Sequence, residues 1–166
     1  MNVPERTPPE ETLRLDIVDH EGRTTEATLL LCDSVPARLA LTCRGLRLEV
    51  SGDDLLDCLI GLRRRLEAEG LKLCCQGARA DVWPSGQLRQ FTNGRLGYVL
   101  AARAPGEAFE EADLFAPARP GEIVSILHQW EAVARFHGLG RRSDAWTRRD
   151  HGVGEGVREE GARGGS

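Results

Sequence analysis

The 166-residue chain is 40% hydrophobic, which is enough to close one core of single-domain size and too little length for two. Its 26 acidic and 22 basic residues leave a formal charge of −4, a balance with no large positive field for a phosphate backbone, so a nucleic-acid partner is not expected. The opening run MNVPERTPPEET has neither a basic nor an apolar stretch and apolar runs elsewhere are short, so neither a signal peptide nor a membrane span is expected.

Five cysteines, an odd number with no CxxC spacing, read as free thiols in a cytoplasmic protein. Lys72 is the only lysine among the 22 basic residues, and this arginine excess reads as a compositional bias spread over the whole chain.

Residues 1–11 hold Pro4, Pro8 and Pro9 among charged side chains and are expected to be a disordered lead. Residues 140–166 are rich in Arg, Gly and Glu, with Trp146 the one large apolar residue, and are expected to be a disordered tail. Between them, residues 12–139 read as a single α+β domain.

Thr12 to Val18 alternates, with Leu13, Leu15 and Ile17 on one side, as a half-buried strand requires. His20 to Arg23 supplies a turn, and Thr24 to Leu31 completes a hairpin. Arg38 to Thr42 and Leu46 to Val50 continue an antiparallel meander. Ser51 to Gly70 carries Leu55, Leu59, Leu62 and Leu66 at helical spacing, widened by Leu56 and Ile60. Ser51 is the expected N-cap and Gly70 the expected residue after the C-cap, with acids at the first turns and arginines toward the end, as the dipole favours.

Leu71 to Gln76 alternates as a returning strand, with one of Cys74 and Cys75 facing the core and the other facing away. Arg95 to Arg103 reads as a further strand, and Pro105 to Pro120 as a long connection draped over the core. Glu122 to His137 reads as a second amphipathic helix with Ile123, Ile126, Leu127, Trp130, Val133, Ala134 and His137 inward. The expected architecture is one antiparallel sheet of about six or seven strands with two helices on one face.

Cys74 to Gly94 is dense in residues suited to chemistry or recognition, and is expected to form an exposed loop and sheet edge. Pro84-Ser85-Gly86 reads as a turn. Arg79 and Asp81 fall on one side of an extended segment and are placed to form an ion pair. Arg79, Asp81, Trp83, Ser85, Arg89 and Phe91 are the candidate binding residues, because exposed Arg and aromatic side chains are the usual anchors of interfaces.

The stretch resembles an uncharacterised family of small bacterial proteins from GC-rich genomes with a segment L-C-x-G-A-R-x-D-V-x-P-S-G. The matching residues are Leu73-Cys74, Gly77-Ala78-Arg79, Asp81-Val82 and Pro84-Ser85-Gly86, followed by Arg89-Gln90 and Gly94-Arg95 with Tyr98. Cys75 is an extra residue that shifts the cysteine register by one. The resemblance implies no activity; it implies at most an immunity-type or regulatory partner role.

The leading expectation is therefore a non-enzymatic protein-binding module whose partner has no identity readable here. Two alternatives stand beside it. One is a small thiol enzyme using Cys74 or Cys75 with an imidazole such as His128 as base, which requires a depressed thiol pKa. The other is a small-ligand sensor with a pocket around Tyr98 and Trp130. CxxC and HxxxH spacings do not occur, and no metal or other cofactor is expected.

Overall fold

The computed structural model describes residues 9–138, so most of the 1–11 lead and all of the 140–166 tail lie outside the described residues. Alternating strands build the first half. β1 (Glu10–Asp19), β2 (Thr24–Cys32), β3 (Ala37–Cys43) and β4 (Leu46–Gly52) form an antiparallel meander whose inward residues include Leu15, Ile17, Ala27, Leu29, Leu31, Leu39, Leu41 and Leu48. The period-two pattern fixes this register, since a slip of one residue would expose the whole apolar set.

The helix α1 (Leu55–Ala68) lays Leu55, Leu56, Leu59, Ile60, Leu62 and Leu66 against that inner face. It starts later than the sequence suggests, because β4 runs on through Ser51 and Gly52. Its N-cap is Asp54, whose carboxylate accepts from the Asp57 backbone N–H at 2.8 Å. Gly70 follows the C-cap with φ +73°, the left-handed conformation that glycine adopts without a Cβ penalty.

β5 (Leu71–Leu73) then pairs with β1, completing a five-stranded sheet of order β4-β3-β2-β1-β5. The strand stops at Leu73, where the Cys75 N–H turns back onto the Leu73 carbonyl and a 3-10 turn, Gln76–Ala78, begins. The remaining strands form a second sheet, with β6 (Val82–Trp83), β7 (Leu96–Val99) and β8 (Glu111–Asp113) in that order. The single sheet of six or seven strands is thus corrected to five plus three, both antiparallel.

Two helices also become three. Pro84-Ser85-Gly86 opens a short helix, α2 (Gly86–Phe91), because the Ser85 hydroxyl accepts from the Leu88 N–H and caps it. The last helix, α3 (Ile126–Phe136), starts at Ser125, which caps the His128 N–H. Residues before it form a 3-10 turn, Pro120–Glu122, and Ile123 bridges to Arg79 as extended chain. With the helix starting there, the inward stripe is Ile126, Gln129, Val133 and Ala134, while Leu127 and His137 face solvent.

Candidate functional site

The segment from Cys74 to Gly94 is folded against the rest of the molecule, and arginines hold it there. Gly77 lies so close to α1 that a Cβ there would sit 2.6 Å from Leu59 Cδ2 and 3.1 Å from Leu114 Cβ. That close approach frames a buried polar centre. Arg63, only 3% exposed on α1, donates to the Gly77 carbonyl at 3.2 Å, to Gln129 Oε1 at 2.5 Å and to the Val124 carbonyl at 3.0 Å. Gln129 of α3 returns its amide N–H groups to the carbonyls of Gly77, Arg79 and Val82. Burial pushes the Arg63 pKa down, opposed by the fields of Cys75 and Glu67. The guanidinium is held through both terminal nitrogens by neutral acceptors, which join α1, α3 and the 76–82 segment.

Arg79 pairs with Asp81, as the alternation predicts, through Nε at 3.0 Å and a terminal nitrogen at 2.8 Å. It also donates to Gln76 Oε1 at 2.8 Å and approaches Glu122 at 3.4 Å, so its fork is spent bracing its own loop. Arg89 clamps α2 to the start of α1, donating to Asp54 from Nε at 2.6 Å and to Asp57 at 2.7 Å. Burial opposes the Arg89 charge, but the Asp54 hydrogen bond and the fields of both carboxylates leave its pKa raised. Arg95 joins β7, β8 and β1 by donating to Asp113 at 2.7 and 2.8 Å and to Glu11 at 2.8 Å. The Asp113 hydrogen bond is the leading cause of its raised pKa. Gly94, with φ +73°, completes this seam, since a Cβ would stand 2.6 Å from the Leu56 backbone nitrogen.

Among the candidate binding residues, then, Arg79, Asp81 and Arg89 are engaged within the chain, Ser85 is a helix cap, and Trp83 is half-buried against the core. Phe91 is different. It is 78% exposed at the end of α2. Two residues on, Asn93 donates to Asp33 Oδ1 at 2.8 Å and to the Ser34 carbonyl at 3.1 Å, tying this turn to the β2–β3 connection. The next residue of that connection, Val35, is 83% exposed. Two large apolar side chains therefore lie exposed on neighbouring segments, close in sequence to the carboxylate of Asp33 that Asn93 holds. The sequence signalled Phe91 and placed Asn93 in the same stretch without singling it out; Arg63 read only as a charge favoured by the helix dipole, and nothing marked Val35 or Gln129.

The thiols present a contrasting picture. All five cysteines are free. Cys74 and Cys75 are both buried, not one in and one out, because the strand ends before them and residues 114–118 cover them through hydrogen bonds from Ala118 N–H to the Cys74 carbonyl and from Gln76 N–H to the Ala116 carbonyl. Burial pushes the Cys74 thiol up to about 11 and the Cys75 thiol up to about 12. His128 is exposed on α3. Tyr98 packs on Phe109 with ring centroids 5.8 Å apart, and Arg64 lies over the Trp130 ring at 5.5 Å. Among the described residues no group of three or more His, Cys, Asp or Glu is placed to hold a metal ion, and no helix is long and apolar enough to cross a membrane.

No protein-family model matches the chain, and no curated protein matches it at a significant level.

Proposed function

We propose that the protein is a non-enzymatic protein-binding module working in a reducing compartment, with Phe91 and Val35 as its anchors. The observation that carries this reading is the exposure of Phe91 on a short helix that Ser85 caps and Arg89 clamps to Asp54 and Asp57 at the start of α1. An apolar side chain carried on an anchored helix spares the cost of ordering the backbone on docking, and exposed apolar residues on neighbouring segments mark contact sites more often than scattered ones do. Asp33, next but one to Val35 in the chain and held by Asn93, favours a partner with an apolar socket and a basic group at its rim. An immunity-type or regulatory partner is the class that the sequence resemblance would suggest.

The thiol-enzyme reading has the opposite support, since a nucleophilic cysteine needs a lowered pKa and access, and Cys74 and Cys75 have neither.

Affinity capture from cells of the source organism tests the proposal with Phe91→Asp, Val35→Asp and, as a control elsewhere on the surface, Leu127→Asp. At least one protein captured by the parent and the control is expected to be lost from both anchor variants, all of them keeping the parent melting temperature. Capture of the same proteins by all four forms would overturn the assignment.

A further inference from the structure

The face of the five-stranded sheet turned away from α1 has a concavity that the protein-binding reading does not use. Its cross-strand rows follow from the register. One row runs Glu10–Cys32–Arg38–Ser51, the next Thr12–Leu30–Ala40–Glu49, and the third Arg14–Thr28–Thr42–Arg47. In the middle row Ala40 has only a methyl group, while its neighbours along the same face, Arg38 and Thr42, are longer. A concavity of about 260 Å³ results, floored by Leu30 and Ala40, which no side chain covers fully, and walled by Arg38, Arg47 and Glu49.

Its charges are not balanced alike. Arg47 is neutralised by Glu49 at 2.6 Å, and that hydrogen bond is the leading cause of the lowered Glu49 pKa, with Arg38 the smallest contributor. Glu10 accepts from the Cys32 thiol at 3.6 Å. Among the described residues Arg38 has no carboxylate within ion-pair distance, and its guanidinium makes only a 3.8 Å contact to Cys32 Sγ. This differs from Arg79, Arg89 and Arg95, each of which closes on at least one carboxylate. A fork of donors at the mouth of an apolar dent matches a carboxylate carried on a short hydrocarbon body, and the Ser51 hydroxyl opposite in register offers a further donor.

We infer that this concavity is a binding site for a small apolar monocarboxylate, with Arg38 receiving the carboxylate and Leu30 and Ala40 receiving the hydrocarbon. A dianion is disfavoured, because the Arg47 charge at the far wall is already taken by Glu49. The volume lies at the small end for ligand pockets, so the ligand is short and its affinity is weak.

Two-dimensional amide NMR with the full chain tests the site, using hexanoate as the probe and hexanamide as its uncharged counterpart. Hexanoate is expected to shift the amides of Leu30, Arg38, Ala40 and Ser51 saturably, and hexanamide to bind about tenfold more weakly, the loss of one charged hydrogen-bonded contact. Arg38→Gln should weaken hexanoate to the hexanamide level, and Ala40→Leu should abolish both by filling the dent. Both changes lie on a solvent-facing sheet surface, and an unchanged amide spectrum elsewhere reports that the fold is kept. Absence of saturable shifts, equal binding of the two probes, or undiminished binding by Arg38→Gln would each overturn the inference. Hexanoate shifts around Phe91 in place of the dent would do the same, whereas failure of the dent to bind leaves the Phe91 and Val35 reading to its own capture experiment.

Discussion

The two halves of this molecule share one apolar core, to which Leu73, Val82, Leu114, Phe115 and Ile126 contribute alongside the leucines of the meander, but they differ in what locates their elements. From Glu10 to Ala68, long strands and one long helix bury periodic leucines, and the register needs little besides that pattern. From Leu71 to Phe136 the strands have two to four residues, α2 has six, and the elements are located by Arg63, Arg79, Arg89 and Arg95 reaching carbonyls and carboxylates. The difference teaches that side chains resembling a recognition surface can be the fastening of a second layer onto a first.

The comparison breaks most visibly at the apolar half. Leu41 is fully buried in β3, and Leu41→Ala is expected to cost about 3 kcal/mol through lost burial and the cavity left behind, measured by denaturant unfolding. A smaller effect is expected at the seam. Asp54→Ala removes both the α1 cap and the acceptor for Arg89, and should cost about 1–2 kcal/mol. The loss should shrink when Arg89→Ala is already present, because the two groups share one interaction.

Alkaline pH sharpens the same contrast through the buried thiols. Burial pushes Cys58 and Cys74 up to about 11 and Cys75 up to about 12, whereas an unfolded thiol ionises near roughly 8.5. Above that value the unfolded chain binds fewer protons than the native one, so stability falls as pH rises toward the folded values. The expected slope is at most about 1.4 kcal/mol per pH unit for each thiol, and Cys75→Ala should flatten it. Slow alkylation of Cys74 and Cys75 near neutral pH, well below a model thiol's rate, follows from the same burial. At the bottom of the scale, Phe91→Ser should change stability by less than about 0.5 kcal/mol, since so exposed a side chain contributes little to the core.

The first half was legible because its determinants are local and periodic. Leu13 to Ile17, Ala27 to Leu31 and the Leu55–Leu66 stripe announce their faces within a few residues. The start of α1 was misplaced because Ser51 and Asp54 are both good caps, and only the continuation of β4 chooses between them. In the second half the determinants are mostly polar contacts across 14 or more residues, such as Arg63 with Gly77, Arg95 with Asp113, Arg89 with Asp54 and Arg63 with Gln129, which no spacing rule exposes. The Arg79–Asp81 pair, two residues apart, is the one such contact a strand pattern could supply. Phe91 was visible as an exposed aromatic candidate, while its neighbour Val35 depends on Asn93 reaching across to Asp33 and Ser34.

Native-state hydrogen exchange on Arg63→Met tests most directly whether the second layer is fastened by its arginines. The substitution keeps an unbranched apolar stem and removes the donors that join Gly77, Val124 and Gln129. Amides of residues 76–99 and 111–134 are expected to lose protection selectively, while those of β1 to β4 keep theirs. Uniform loss across both sheets, or no change in either, would contradict the account.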